Sequence, residues 1–281
     1  MNIALCFCVR NCETYLPNIF KNIERLQTLD VNVYSIFVFD NCTDNSEQLL
    51  RDYHLKHMDS VVVKHIRNTS PYRTVRIANA RNACLDVVYN KLENISYHIM
   101  IDADDINTNP WNIKVIQDYL TNFDNDNWDC ISFHRKHYYD IWALLYDNFK
   151  HHCWGFGDKS KQVVQFIYKD ITNRLNSLEV NSMYVMSAFN GFCIYRTDRF
   201  EGFHYCGLYE NVKQLFTDFE RKQTIDMLTK NNIQANIFDY ISKEWMQYGL
   251  QEPECCEHIF YHLSAYRKQR IIKISKFMIS E

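Results

Sequence analysis

Glycine and proline are scarce, six and four among 281 residues, which argues against long disordered linkers. Neither sign of charge dominates. The net charge of −3 gives no reason to expect nucleic acid as a partner. No Cys-x-x-Cys pair occurs among the eleven cysteines. Their odd number, their scatter and the lack of a signal peptide point to reduced thiols in a cytosol-like compartment. The apolar opening "MNIALCFCV" is too short for a bilayer span and lacks a basic flank and a cleavage site. It reads as a buried strand, so no integral membrane segment is expected. The sequons at Asn41, Asn68 and Asn94 are accordingly expected to stay unglycosylated. What is present is a chain 47% hydrophobic, enough for a large core.

The first half alternates between short apolar runs and helical periodicity. Strands are expected at 3–9, 33–39, 60–66, 98–101 and 128–134, and helices at 13–29, 44–54, 74–92 and 111–122. That order predicts an α/β fold with a doubly wound, mainly parallel, Rossmann-like sheet and helices on both faces. The second half is less regular. Helices are expected at 138–150, 160–176, 210–230 and 258–269, with short strands at 192–196, 234–240 and 270–278. No linker divides the chain, so residues 1–281 read as one domain with a helical C-terminal elaboration.

In such sheets, ligands bind beyond the carboxyl ends of the strands. Three predicted strands end in chemistry: the first in Val9-Arg10-Asn11, the second in Asp40, and the fourth in Asp102-Ala103-Asp104-Asp105. At a strand end, carboxylates at i and i+2 can point the same way and share a hard divalent cation. An acidic turn capping the following helix is the plainer alternative, and the apolar strand "HIMI" before it favours the metal. The surplus Asp105 is assigned to capping or outer support. In the helix opening "RTVRIANARNACLDVV", the apolar stripe Ile77, Ala80, Cys84, Val87 and Val88 leaves Arg76 and Arg81 off the core face, with Arg73 at its entrance. Arginines there can hold a diphosphate through forked hydrogen bonds and the helix dipole. A merely solvated basic face is the competing reading. The aromatic content of 15% also suits sugar stacking, although most rings should be core; Trp111 and Trp154 are the likeliest exceptions. Trp154 lies in "HHCWGFGDKS", a glycine-bearing loop that reads either as a lid or as an ordinary turn.

With these pieces in order, "VRNCETYLPNIFKNIERL", "VYSIFVFDNCTDNSEQLL", "RIANARNACLD", "HIMIDADD" and "FNGFCIYRTDRF", the sequence resembles the GT-A nucleotide-sugar glycosyltransferases. The resemblance is to the family-two-like members and their capsule-associated and giant-virus relatives. It covers most of the first 200 residues. It implies transfer of a sugar from a nucleotide-diphosphate sugar, UDP-sugar favoured, to a hydroxyl of a glycan, protein or small molecule, with Mn²⁺ or Mg²⁺ as cofactor. Residues 1–135 would bind the donor and 136–281 the acceptor. If the chain is viral, the compartment is the host cytoplasm. Arg10, Asn11, Asp40, Arg76, Arg81, Asn82 and Asp102 would contact the nucleotide or its diphosphate, and Asp102 and Asp104 would hold the metal. Family members carry an acidic residue opening a C-terminal helix as the base of inverting transfer. Glu257 is favoured over Asp218 for it, and His258 is a candidate further metal ligand. Two rival readings remain: a nucleotidyltransferase, disfavoured because "CVRNCETYL" has no glycine to cradle a triphosphate, and an inactive sugar-nucleotide or glycan-binding protein.

Overall fold

The computed structural model describes residues 1–121, 127–239 and 254–280. Its centre is one eight-stranded sheet, built from β1 (Asn2–Val9), β2 (Asn32–Phe39), β3 (Val61–His65), β4 (Ile95–Asp102), β5 (Cys130–His134), β6 (Ser182–Val185), β7 (Phe192–Arg196) and β8 (Ile272–Met278). The strand order is β3-β2-β1-β4-β7-β5-β8-β6. Strands β1 to β4 run parallel, β7 is antiparallel to both β4 and β5, β8 is parallel to β5, and β6 is antiparallel to β8. The sheet is thus mainly parallel, as the alternating pattern predicts.

Helices cover both faces, which is why the strands are apolar throughout. Alternate residues of β1 serve opposite cores. Ile3, Leu5, Phe7 and Val9 pack with the helices α1 (Leu16–Leu26), α2 (Ser46–Lys56) and α4 (Ile113–Thr121). Ala4 and Cys6 pack with α3 (Arg73–Asn90) and α5 (Ser160–Asn176) on the other face. The same core takes in Ile259, Tyr261 and Leu263 of α9 (Glu257–Tyr266). Helix α1 shows how locally the pattern works: Leu16, Ile19, Ile23 and Leu26 form one stripe, and a proline in its first turn presets the entry.

Three expectations fail, and one strand was not expected. The segment expected as a helix at 138–150 is irregular, with a single 3₁₀ turn at Ile141–Ala143 and bridges Leu145–Ser187 and Tyr146–Phe149. Its residues Tyr138, Ile141, Leu144, Leu145, Tyr146 and Phe149 are buried without helical spacing, while Tyr139, Asp147 and Asn148 are exposed. The helix expected at 210–230 is two, α7 (Tyr209–Lys213) and α8 (Asp218–Lys230). Thr217 and Glu220 form a capping box that starts α8 afresh. No strand forms at 234–239; residue 240 lies outside the described residues. The edge strand β6 was unforeseen, because Tyr184 faces solvent and leaves only a weak apolar pattern. The remaining short helix is α6 (Thr197–Phe200). Among the described residues, no helix is long and apolar enough to cross a membrane.

Candidate active site

Strand register gathers the acidic strand ends on one rim. Cys8 pairs with Asp102 and Val9 with Phe39, so Arg10, Asp40 and the Asp102–Asp104 turn emerge side by side. They line a cavity of about 1080 Å³. Tyr138 to Trp142, Trp154, Tyr168, Phe189, Glu257 and His258 also line it.

Arg81 joins the acids at its centre. Its Nη2 donates to Asp102 Oδ1 and its Nε to Glu257 Oε1, both at 2.9 Å. The guanidinium lies 4.7 Å over the Phe189 ring, and the residue is 3% exposed. Burial opposes its charge, but the carboxylates of Glu257 and Asp102 outweigh that and hold it well above the usual arginine range. The expectation of an off-core Arg81 is therefore corrected: it points inward, because two carboxylates from distant segments compensate its charge there.

Asp104 remains poorly compensated. Burial, Asp102 and Asp105 push its carboxyl up to about 7. It caps the 3₁₀ turn Asp105–Asn107 by accepting from Ile106 N–H, and it accepts from the Tyr139 hydroxyl at 3.4 Å. So the capping falls to Asp104, while Asp105 is exposed. Crowded carboxyls without a cationic partner of their own suit a divalent cation, which supplies the missing positive charge.

The turn is held by residues that sequence reasoning missed. Asn107 donates to the carbonyls of Asp102 and Gly191, at 2.9 and 2.8 Å. Arg135, 4% exposed, donates to Asn107 Oδ1 and to the carbonyls of Ile106 and Asn190. Burial lowers its pKa to about 10. Asn22 on α1 donates to the carbonyls of Asn107 and Asn109. Asn22 stands in no charged run or motif, and Arg135, in the short basic run HRKH, reads as surface. The available signal was a polar side chain inside an otherwise apolar pattern, as Asn22 is in the α1 stripe.

Arg10, Arg73 and Arg76 also line the cavity. Burial first, then the neighbouring Arg10, lowers the pKa of Arg76, whose Nη1 donates to the carbonyls of Ser70 and Pro71. Asp40 is buried and accepts from Asn68 N–H. The first turn of α3 is tied to remote chain: Glu254 Oε2 accepts from Thr74 N–H at 2.6 Å, and the single Thr74 hydroxyl proton lies within reach of both Glu254 Oε2 and Gly207 O, at 2.6 and 2.7 Å. A Cβ on Gly207 would meet the Thr74 carbonyl carbon at 2.3 Å, so only glycine fits there.

Other expected residues lie outside the cavity lining. Asn11 accepts from Thr43 N–H and serves the loop after β2. Asn82 pairs both ways with the Tyr205 backbone, donating to its O and accepting from its N–H. Asp218 is exposed in the first turn of α8, where a negative charge suits the helix dipole. Trp111 is 1% exposed and packs on Phe192, so it is core and not a sugar platform; Trp154 does line the cavity. His258 is buried and stacked on Phe189, with both ring nitrogens lacking a hydrogen-bond partner.

No curated protein matches the sequence. Among solved structures, S. aureus TarS is similar at 13% identity and a TM-score of 0.40, over 85% of this chain and 57% of that one. The mannosyltransferase PcManGT from Pyrobaculum calidifontis, solved with GDP-Man and Mn²⁺, is similar at 11% identity and 0.41, over 94% and 69% of the two chains. Glucosyl-3-phosphoglycerate synthase from Mycobacterium tuberculosis, solved with Mn²⁺, UDP and phosphoglyceric acid, is similar at 11% and 0.40, over 84% and 66%. The chain thus spans little more than half the length of TarS. The profile described as glycosyl transferase family 2 matches residues 5–182, more than half of the sequence. The chain belongs to glycosyl transferase family 2.

Proposed function

We propose that the protein transfers a sugar from a nucleotide-diphosphate sugar to an acceptor hydroxyl, with a divalent cation, Mn²⁺ or Mg²⁺, held by Asp102 and Asp104. The observation that carries this reading is one cavity with two unlike halves. Arg10, Arg73 and Arg76 supply positive charge beside carboxyls that lack enough of it. A diphosphate and a cation together would relieve both. His258 lines the same cavity and is held neutral by burial, but among the described residues it does not form a three-ligand cluster with Asp102 and Asp104, so the two carboxyls are the protein ligands proposed for the cation.

When bound, the cation would neutralise charge developing on the leaving diphosphate. The chain's own residues prepare the site for it. Arg81 fixes Asp102 through one oxygen and leaves the other available. Asn107 and Arg135 hold the turn, so Asp104 is preorganised before substrate arrives. Asp40, beyond β2, suits a nucleoside contact. Tyr139, Trp142, Trp154 and Tyr168 line the same cavity and suit contact with an acceptor.

The test is a thermal-shift and donor-cleavage series with UDP- and GDP-sugars, with and without Mn²⁺. Stabilisation that needs both one nucleotide and the metal, and that disappears in Asp104→Ala, is expected. Undiminished metal-dependent cleavage by Asp104→Ala would remove the metal site from the reading. Binding without turnover by the unaltered chain would mark it instead as a nucleotide-sugar-binding protein.

A further inference from the structure

We infer that Cys130, Cys193 and His262 form a structural zinc site in the core, separate from the cation site proposed at Asp102 and Asp104. The three residues come from β5, β7 and α9, and none of them lines the active-site cavity. The inference therefore stands or falls independently of the transfer reading.

Each residue offers one ligand atom, and these atoms all lie within 4.8 Å of one another. Cys130 Sγ is 3.2 Å from Cys193 Sγ and 3.8 Å from His262 Nε2. In a tetrahedral zinc site, bonds of about 2.3 Å to sulfur and 2.0 Å to nitrogen keep ligand atoms about 3.5–3.8 Å apart. Small side-chain rotations thus complete the set. Strand register sets this arrangement apart from a disulfide. Cys130 stands opposite Tyr195 and Cys193 opposite Ser132, so the two cysteines are diagonal neighbours across β5 and β7. Diagonal positions lie about 7–8 Å apart, beyond the ordinary span of an S–S bridge. An ion between the sulfurs covers the longer gap.

The imidazole is held in the tautomer that a metal needs. Ser187 Oγ gives its only proton to Ala143 O at 2.6 Å, so it accepts at its 3.2 Å contact with His262 Nδ1. In the neutral ring, Nδ1 therefore carries the proton and Nε2 the lone pair. That lone pair is on the side of Cys130 Sγ and accepts from the Tyr195 hydroxyl at 2.8 Å. Fixing a histidine through its second nitrogen is the usual support of a ligating ring. The Tyr195 oxygen, a neutral donor beside Nε2, is placed to take the fourth position.

Charge selects the ion. Cys130, Cys193 and His262 are each 0% exposed, where an unbalanced charge is costly. Two thiolates and a neutral imidazole cancel a divalent ion, whereas Cu⁺ would leave a negative charge behind. Sulfur and imidazole favour zinc over Mn²⁺ and Mg²⁺, which prefer carboxylate oxygen. Binding is an exchange: Zn²⁺ enters, two S–Zn bonds and one N–Zn bond form, and the two thiol protons leave to solvent. The ion would cross-link β5 to β7 and to α9, the helix whose Glu257 and His258 line the cavity.

The test is the metal content of the full chain, produced with zinc in the medium and dialysed against EDTA. About one zinc per chain is expected. Asp104→Ala keeps it, and Cys193→Ala loses it. Ser187→Ala leaves every ligand in place but frees the ring, and zinc affinity against a chromogenic chelator is expected to fall roughly 10- to 100-fold. One measurement needs no variant. The unaltered chain, produced with Co²⁺ in place of zinc, shows a sulfur-to-cobalt charge-transfer absorption that the oxygens of Asp102 and Asp104 cannot give. An unaltered chain with neither zinc nor that absorption overturns the site and leaves a thiol–imidazole hydrogen-bond cluster. Zinc retained in full by Cys193→Ala also overturns it, and marks adventitious binding by other cysteines.

Discussion

Replacing Arg81 with methionine keeps most of the side chain's length and removes its charge. The carboxylates of Asp102 and Glu257 then stay in the cavity without their shared partner, beside Asp104 and Asp140. The Arg81 and Glu257 side chains are 4% and 7% exposed, so solvent can screen little of the loss. Breaking a buried pair in this way costs about 3–5 kcal/mol. For a chain of this size that corresponds to a fall in Tm of roughly 6–20 °C. The control is Arg81→Met made together with Glu257→Gln, which removes one of the stranded charges. The double variant should regain stability relative to Arg81→Met alone, with a coupling of about 1–3 kcal/mol. Denaturant melts of the parent, both single variants and the double complete the cycle. A loss below about 1 kcal/mol for Arg81→Met, or strictly additive losses, would refute the view that Arg81 balances this cavity.

Two further outcomes follow from the packing. Gly207→Ala would drive a methyl into the Thr74 backbone, so it is expected to cost about 1–3 kcal/mol and to weaken nucleotide binding by shifting the first turn of α3; an unchanged Tm would contradict the close approach. Acid should destabilise the fold: burial lowers His98, His152 and His262 to about 3 and His151 and His258 further, so each must take up a proton on unfolding. Each contributes stability that is complete above pH 6.5 and falls by up to about 1.4 kcal/mol per pH unit below it. Asp104 and Asp140, raised to about 7, oppose this as the pH falls from 7 towards the ordinary carboxylate range, but five rings outnumber two carboxyls. Denaturant midpoints that fail to drop between pH 7.5 and 5 would show that the rings are not buried neutral.

How far the sequence revealed this arrangement depended on the range of the interactions. Strands β1, β2 and β4 were legible because both faces are buried and their apolar runs need no partner to be noticed. The rim at Asp40 and Asp102 followed from the same runs. Arg81 was misplaced because its environment is made at distances of 21 and 176 residues along the chain. A helical stripe cannot report on that. The irregular course of 138–150 was invisible for a related reason: its near-continuous apolar character suggested a helix, while the Asn190 side chain that accepts the Asp140 N–H lies 50 residues away. The break between α7 and α8 was legible in principle, since Thr217 and Glu220 have capping-box spacing.

The place of β8 in the sheet has a consequence for synthesis. Strand β8, last in chain order, does not sit at an edge but between β5 and β6. During translation β1 to β4 can pair as they emerge, because their partners are all made by residue 102. Strand β6 gains its neighbour only when residues 272–278 are clear of the ribosome. Until then β5 has one open side and β6 has none of its ladder, and the apolar surfaces around them are exposed to other chains. Residues 2–102 can therefore settle into their part of the sheet while β5 and β6 still wait for β8, and that later part is the one most in need of a chaperone.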